Sequence, residues 1–215
     1  MWYRKNIYLV IAVLFSLFRE PGLAAAGEGA YGAREVCAVC DKRVSVPFAH
    51  IGVVEIGMVA VAVAAWPEGY NPLAIRRNVG QLEESWTHPP EFHFTGNLFT
   101  SDNDWWYFNV FAHGLFGSEA YLSSRVWGHG PVVSGMFALF ASFSWEYFVE
   151  AWYKRPSTID LFWTPLSGIL LGELRFRVFL AVTRRVSAPV LRKSLQILLD
   201  PLGSFERRLL ECEIR

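Results

Sequence analysis

Charge is scarce in this chain: charged residues make up 19% of its 215, against about 25% in ordinary soluble domains. The deficit favours a protein embedded in, or lying against, a membrane. Cysteine is scarcer still. Three Cys exclude a disulfide-dense scaffold, and the single C-x-x-C of Cys37 and Cys40 lacks the second half of a zinc site. Strand-like alternation, internal repeats and low-complexity tracts are also missing, which leaves an all-α reading. No Gly-x-Ser-x-Gly, zincin, P-loop or dinucleotide fingerprint occurs, so no named reaction is favoured.

What is present is apolar. Hydrophobic residues reach 53%, aromatics 16%, and there are nine Trp, although a mean hydropathy of +0.24 is low for a polytopic transporter. Net charge is zero but unevenly spread. Residues 27–172 hold eight basic and fourteen acidic side chains, net −6, whereas residues 173–215 hold nine against five, net +4. Two readings of the basic tail stand: contact with anionic lipid headgroups, or a solvated face that balances the body. The signal segment, the zero net charge and the acidic body argue against a nucleic-acid partner.

The first 26 residues have the three parts of a secretory signal. Arg4 and Lys5 supply the positive start, Ile7 to Phe18 the apolar run, and Ala24 to Ala26 the small residues of a cleavage site after Pro21-Gly22. An uncleaved anchor is the competing reading. No Cys follows immediately, so a lipoprotein anchor is not expected. Export makes a local Cys37–Cys40 disulfide the expected fate of that pair, with Cys212 a free thiol. Residues 27–50 are expected to be flexible.

Residues 51–176 read as a core of about four apolar helices. The first covers Ile51 to Trp66, interrupted by Glu55 and stopped by Pro67. A short surface helix, Leu73 to Trp86, follows. Asp102 to Asp104 caps a second apolar helix, Trp105 to Val126; a third runs from Val132 to Tyr153. Ser157 is placed to cap a fourth, Thr158 to Phe176, which contains Gly168-x-x-x-Gly172, a spacing that suits close helix packing. In the basic tail, residues 177–215, Val190 to Leu199 is amphipathic, with Arg192 and Lys193 opposite its apolar face.

The informative residues are polar ones inside apolar helices. Asn109, His113 and Ser124 lie near one face of the second. Ser142, Glu146 and Glu150 repeat at i, i+4, i+8 in the third, and Asp160 and Thr164 are one turn apart in the fourth. An unpaired acid at a bilayer centre costs about 2.5–3.5 kcal/mol by insertion scales. Three acids and a His are therefore expected to converge on one another, on Arg125, on water or on a metal. Catalytic candidates are His113, Glu146, Glu150 and Asp160, with a Glu as general base and His113 as its proton partner. Binding candidates are Asn109, Ser124, Arg125, Ser157, Thr164 and Glu173. A carboxylate-bridged metal in a bundle wants Glu-x-x-His on two helices, which is absent, so neither a metal nor another cofactor is expected. His129 is expected to be exposed in its Gly-flanked turn, and His50, His88 and His93 show no partner.

The stretch from Trp105 to Glu173 carries a wider pattern: Asn109, His113, Gly117, Tyr121, Arg125 and Gly128, then Trp145-Glu146, Glu150, Pro156-Ser157, Asp160, Thr164-Pro165, Gly168 and Gly172-Glu173. This resembles an uncharacterised bacterial family, domain of unknown function 3943. Gly114 departs from it, standing where the family has Pro. The order of His, Glu, Asp and Gly-x-x-x-Gly also bears a looser likeness to the VanZ-like family of small membrane proteins, by analogy only. The resemblances imply a helical cell-envelope protein, exported, at the inner membrane or its periplasmic face. They bring no activity.

Two functions follow as expectations. The first is a structural or binding role, holding membrane lipid or another envelope protein between the helices. The second is an envelope hydrolase or transferase acting on a lipid-linked substrate through the His/Glu/Asp cluster.

Overall fold

The computed structural model describes residues 40, 42–94, 96–102 and 104–212. The expected signal segment and Cys37 lie outside them. Among the described residues there are seven α-helices and no strand: α1 (Ser45–Ala65), α2 (Ile75–Thr87), α3 (His113–Val126), α4 (Pro131–Ser144), α5 (Thr158–Arg185), α6 (Pro189–Leu199) and α7 (Pro201–Leu209). The only β-type pairing among them is an isolated bridge between Glu91 and Ser157. The all-α reading holds.

Most boundaries follow local chemistry. Pro131, Pro189 and Pro201 each open a helix, where a missing N–H costs nothing. Ser157 caps α5, its hydroxyl accepting from the Asp160 N–H at 3.3 Å. Three expectations need correction. α1 starts at Ser45, inside the segment read as flexible. α5 runs on to Arg185, so the boundary drawn at residue 176 cuts a continuous helix. A separate helix, α7, follows α6, because Pro201 and the Asp200 side chain, which accepts from the Gly203 N–H, start it afresh.

Two apolar helices are also less regular than their sequences suggest. A π-helical turn, Phe108–Ala112, precedes α3, and another, Trp145–Val149, continues α4 into a 3-10 turn, Glu150–Trp152. Such turns shift the phase of the side chains that follow, and they recur at functional sites.

α3 and α5 form the central pair, brought together by glycines. A Cβ at Gly168 would fall 2.6 Å from the carbonyl carbon of Gly117, and one at Gly172 would strike the Tyr121 side chain at 2.7 Å. The Gly-x-x-x-Gly spacing therefore serves close packing. Two apolar clusters flank this pair: Leu122, Val126, Trp127, Phe176 and Phe179 on one side, Ile51, Phe116, Phe137 and Trp145 on the other.

Outside these clusters, large apolar side chains are exposed on three helices while several polar ones are buried. Val132, Met136, Leu139 and Phe143 of α4 face outward, as do Val53, Ile56 and Val61 of α1 and Phe162, Leu166 and Leu174 of α5. Ser124, Ser134, Glu146, Asp160 and Thr164 are fully buried. Two stretches, Ser45–Ala65 and Pro131–Trp152, are long and apolar enough to cross a membrane, with mean hydropathies of 2.0 and 1.4.

One covalent link ties the ends of the described chain together. Cys40 is bonded to Cys212, with Cα atoms 5.9 Å apart across 172 residues of sequence. The expected Cys37–Cys40 pairing and free Cys212 are thereby corrected. The Cys40 amide donates to Val126 O at 2.8 Å, which holds Cys40 against the end of α3.

Candidate functional site

The polar centre is assembled at the N-terminal end of α5. Asp160 lies in the first turn of that helix and Thr164 one turn on; His113 opens α3; Glu146 sits in the π-helical turn after α4. His113 Nδ1 lies 3.0 Å from Thr164 Oγ1, and its Nε2 lies 3.7 Å from Asp160 Oδ2. Glu146 Oε2 accepts from the Ser157 N–H at 2.6 Å, so its carboxylate meets one of the unpaired donors at the start of α5. Ser142 donates to the Asp160 carbonyl at 3.0 Å. No donor reaches Glu146 Oε1, and the Asp160 carboxyl faces the carboxyl of Asp102, although Glu146 and Asp160 are both fully buried.

Glu150 belongs to an adjoining group. Tyr70 donates to its Oε1 at 2.5 Å, and Lys154 lies 3.4 Å from the same oxygen while also pairing with Asp104. Burial pulls the Lys154 pKa down, but the charges of Glu150 and Asp104 outweigh it and hold the ammonium well above the ordinary Lys range. Burial lifts the Asp104 carboxyl above its usual range even against Lys154. Asp102 ends lower than usual: burial opposes this, but hydrogen bonds from Ser157, Asp160 and Asn109 and the charge of Lys154 prevail. Asn109 donates to Asp102 Oδ1 at 2.8 Å and to Phe99 O at 3.1 Å.

The expected single cluster is thus confirmed in one part and divided in another. His113, Glu146, Asp160, Thr164, Ser157 and Asn109 do meet, with Glu150 beside them. Ser124, Arg125 and Glu173 do not join. Ser124 accepts from Ser134 at 2.9 Å, and Arg125 pairs with Glu173 at 3.1 Å, where Tyr121 and Arg177 also donate at 3.0 Å. Eleven helical residues separate His113 from Ser124, about 16 Å along the axis, which is why one face does not make one site.

Asp102, Asp104, Lys154 and Tyr70 are site residues that their sequence context hides. The two Asp read as a helix cap and Lys154 as part of a turn. The i, i+4 spacing of Glu150 and Lys154 is the one local signal that connects them. His50 and His129 need correction as well. His50 is fully buried between Glu206, 2.9 Å from Nδ1, and Glu119, 3.5 Å from Nε2. His129 is buried too, its Nδ1 3.1 Å from Ser124 O.

A cavity of about 1020 Å³ opens beside the centre. Val54, Met58, Val61 and Ala62 of α1 line it together with Trp105 and Phe108, and Tyr70, Asp104, His113 and Glu150 supply its polar groups. Its size and its mixture of apolar wall with a few converging polar groups suit a small amphiphilic ligand. The ligand chemistry within reach is one imidazole nitrogen and two carboxylates: His113, Glu146 and Asp160 each offer an atom within 4.8 Å of the others.

No curated protein and no solved structure matches the chain. A family model does, over residues 98–202, a span that takes in Asn109, His113, Glu146, Glu150, Lys154 and Asp160 together. Over those residues the chain carries a domain of the family described as domain of unknown function (DUF3943).

Proposed function

We propose that this is a membrane-embedded helical protein of the cell envelope whose role is to bind an amphiphile, a lipid or lipid-linked molecule, between α1 and the irregular turns that precede α3 and follow α4. The carrying observation is the cavity, with its apolar lining and the polar groups of Tyr70, Asp104, His113 and Glu150. An acyl chain would lie along Val54, Met58 and Val61, and the headgroup would meet the polar residues.

Membrane embedding is supported by the outward apolar faces of α1, α4 and α5, which water would leave unpartnered. α6 adds an interfacial element. Val190, Leu191 and Leu198 are exposed alongside Arg192 and Lys193, the pattern of a helix lying at the lipid surface. The Cys40–Cys212 bond supports export to an oxidising compartment.

The second reading, a hydrolase or transferase, rests on one observation: His113 lines the cavity and also faces Asp160. A bound headgroup would then meet an imidazole whose Nε2 has a carboxylate 3.7 Å away and whose Nδ1 is held by Thr164, so it would act as a general base only once Thr164 gives up that contact.

The test is a cavity-filling variant. Gly57 lines the cavity, and a Cβ there meets nothing within 4 Å, so Gly57→Phe should fold and obstruct the chamber. Native mass spectrometry of protein extracted in polymer nanodiscs should show a lipid retained by the parent chain and lost from the variant. Equal retention would remove the binding role. Release of the chain from membranes by alkaline carbonate would remove the embedding.

A further inference from the structure

His113, Glu146 and Asp160 come from three different helical segments, so no sequence motif announces them as a set. Three features of their geometry go beyond a hydrogen-bonded network.

The first is the distance between His113 Nε2 and Asp160 Oδ2. At 3.7 Å it is too long for a hydrogen bond. Two ligands bound tetrahedrally to one cation at about 2.1 Å lie about 3.4 Å apart, close to what is seen.

The second is the direction of the free electron pairs. Glu146 Oε2 is fixed by the Ser157 N–H, while Oε1 accepts from nothing in a fully buried residue. Asp160 is buried too, and its carboxyl faces that of Asp102, so one proton shared between those two acids is all that a cation would have to displace there. On His113, Thr164 occupies Nδ1. If Nδ1 carries the proton and donates to that hydroxyl, Nε2 presents a lone pair toward Asp160. An imidazole oriented through its far nitrogen is the usual support of a metal-binding His.

The third is charge. Asp102, Asp104, Glu146, Glu150 and Asp160 surround one cation, Lys154, which is engaged with Asp104 and Glu150. Arg125, the other candidate partner, is held by Glu173. The charge of Lys154 is felt at Glu146 and Asp160, but its ion pairs go to Asp104 and Glu150, so one cation serves five acids in a medium where uncompensated charge is costly.

We propose that His113, Glu146 and Asp160 together bind one divalent transition-metal cation. The imidazole selects against Mg²⁺ and Ca²⁺, which prefer all-oxygen shells, and favours Zn²⁺, Mn²⁺ or Fe²⁺. Because His113 also lines the cavity, the cation has a route in, and a ligand in the cavity can complete its coordination. The site stands independently of whether that ligand is a lipid.

The experiment uses the full chain in detergent, stripped with a chelator and titrated with Co²⁺, then with Zn²⁺ in competition. Visible d–d absorption should saturate at about one Co²⁺ per chain and be abolished by Zn²⁺. His113→Gln and Asp160→Asn should each weaken binding by about a hundredfold or more, and Thr164→Val by about tenfold through loss of the supporting hydrogen bond. Glu83→Gln, on the exposed face of α2, should bind like the parent. Should the first two variants fail to fold, His113→Cys keeps a ligand in place and should add a thiolate charge-transfer band to the Co²⁺ spectrum. A parent chain that takes up no Co²⁺ or Zn²⁺, equal binding by a folded His113→Gln, or a His113→Cys spectrum without that band overturns the site.

Discussion

Arg125 of α3 and Glu173 of α5 hold each other at 3.1 Å, on the opposite side of the Gly117–Gly168 contact from His113 and Asp160. Glu173 also receives Tyr121 and Arg177, so its carboxylate is saturated by donors from both helices of the central pair. Removing one side of a buried pair leaves the other uncompensated. Glu173→Met or Arg125→Met alone should therefore destabilise by about 3–5 kcal/mol, whereas the two together should recover much of that loss. Thermal unfolding of the two single variants and the double variant in detergent decides it. Additive losses would show that the two residues act apart.

The glycines give a paired prediction with opposite signs. Gly168→Ala pushes a methyl against the Gly117 backbone and should cost about 1–3 kcal/mol as α3 and α5 are forced apart. Gly57→Ala meets open space and should stabilise α1 by about 0.5–1 kcal/mol. A chemical denaturation series that found the same sign for both would contradict the close helix approach.

Lys154 makes stability depend on pH. Its pKa is raised by folding, so its contribution is present below the ordinary Lys value and is lost as pH rises through the shifted one. Asp104 runs the other way: its raised pKa means that protonation favours the fold and that the charged form costs stability at neutral pH. Lys154→Met strips both Asp104 and Glu150 of their cation. The variant should lose about 3–5 kcal/mol at neutral pH and regain part of it on acidification, as Asp104 takes up its proton. A melting temperature that differs from the parent by the same amount at every pH would refute this account.

The Cys40–Cys212 bond closes a loop of most of the described chain, and its loss should cost about 2–5 kcal/mol. Cys40→Ser, Cys212→Ser and reduction of the parent should lower the melting temperature alike, while Cys37→Ser should leave it unchanged. Non-reducing peptide mapping reads the pairing directly, and a peptide joining Cys37 to Cys40 would contradict the bond.

Much of the site was legible from residue spacing. Polar side chains at helical intervals inside apolar runs identified His113, Glu146, Asp160 and Thr164, because burying such groups singly is too costly to leave them without company. Ser124 and Arg125, read from the same helix, and Glu173, read from the family pattern, share helices with the centre but lie turns away from it. Glu150 shows why a strict i, i+4, i+8 repeat misleads. The π-helical turn at Trp145–Val149 changes the phase after Glu146 and delivers Glu150 to Tyr70 and Lys154. Nothing local encodes that turn plainly.

The sequence by itself determined the helical class, the approximate extent of the apolar helices and the scarcity of charge on their surfaces. These depend on hydrophobic period, proline and capping residues, all properties of neighbours in the chain. Tertiary structure decided which polar groups meet: His113 with Asp160, His50 with Glu206, Cys40 with Cys212. Those pairings depend on helix phase and on glycine-sized gaps between distant segments. A side chain's neighbours across a bundle are set by how the helices dock, and docking is a sum over many contacts that no short window of sequence contains.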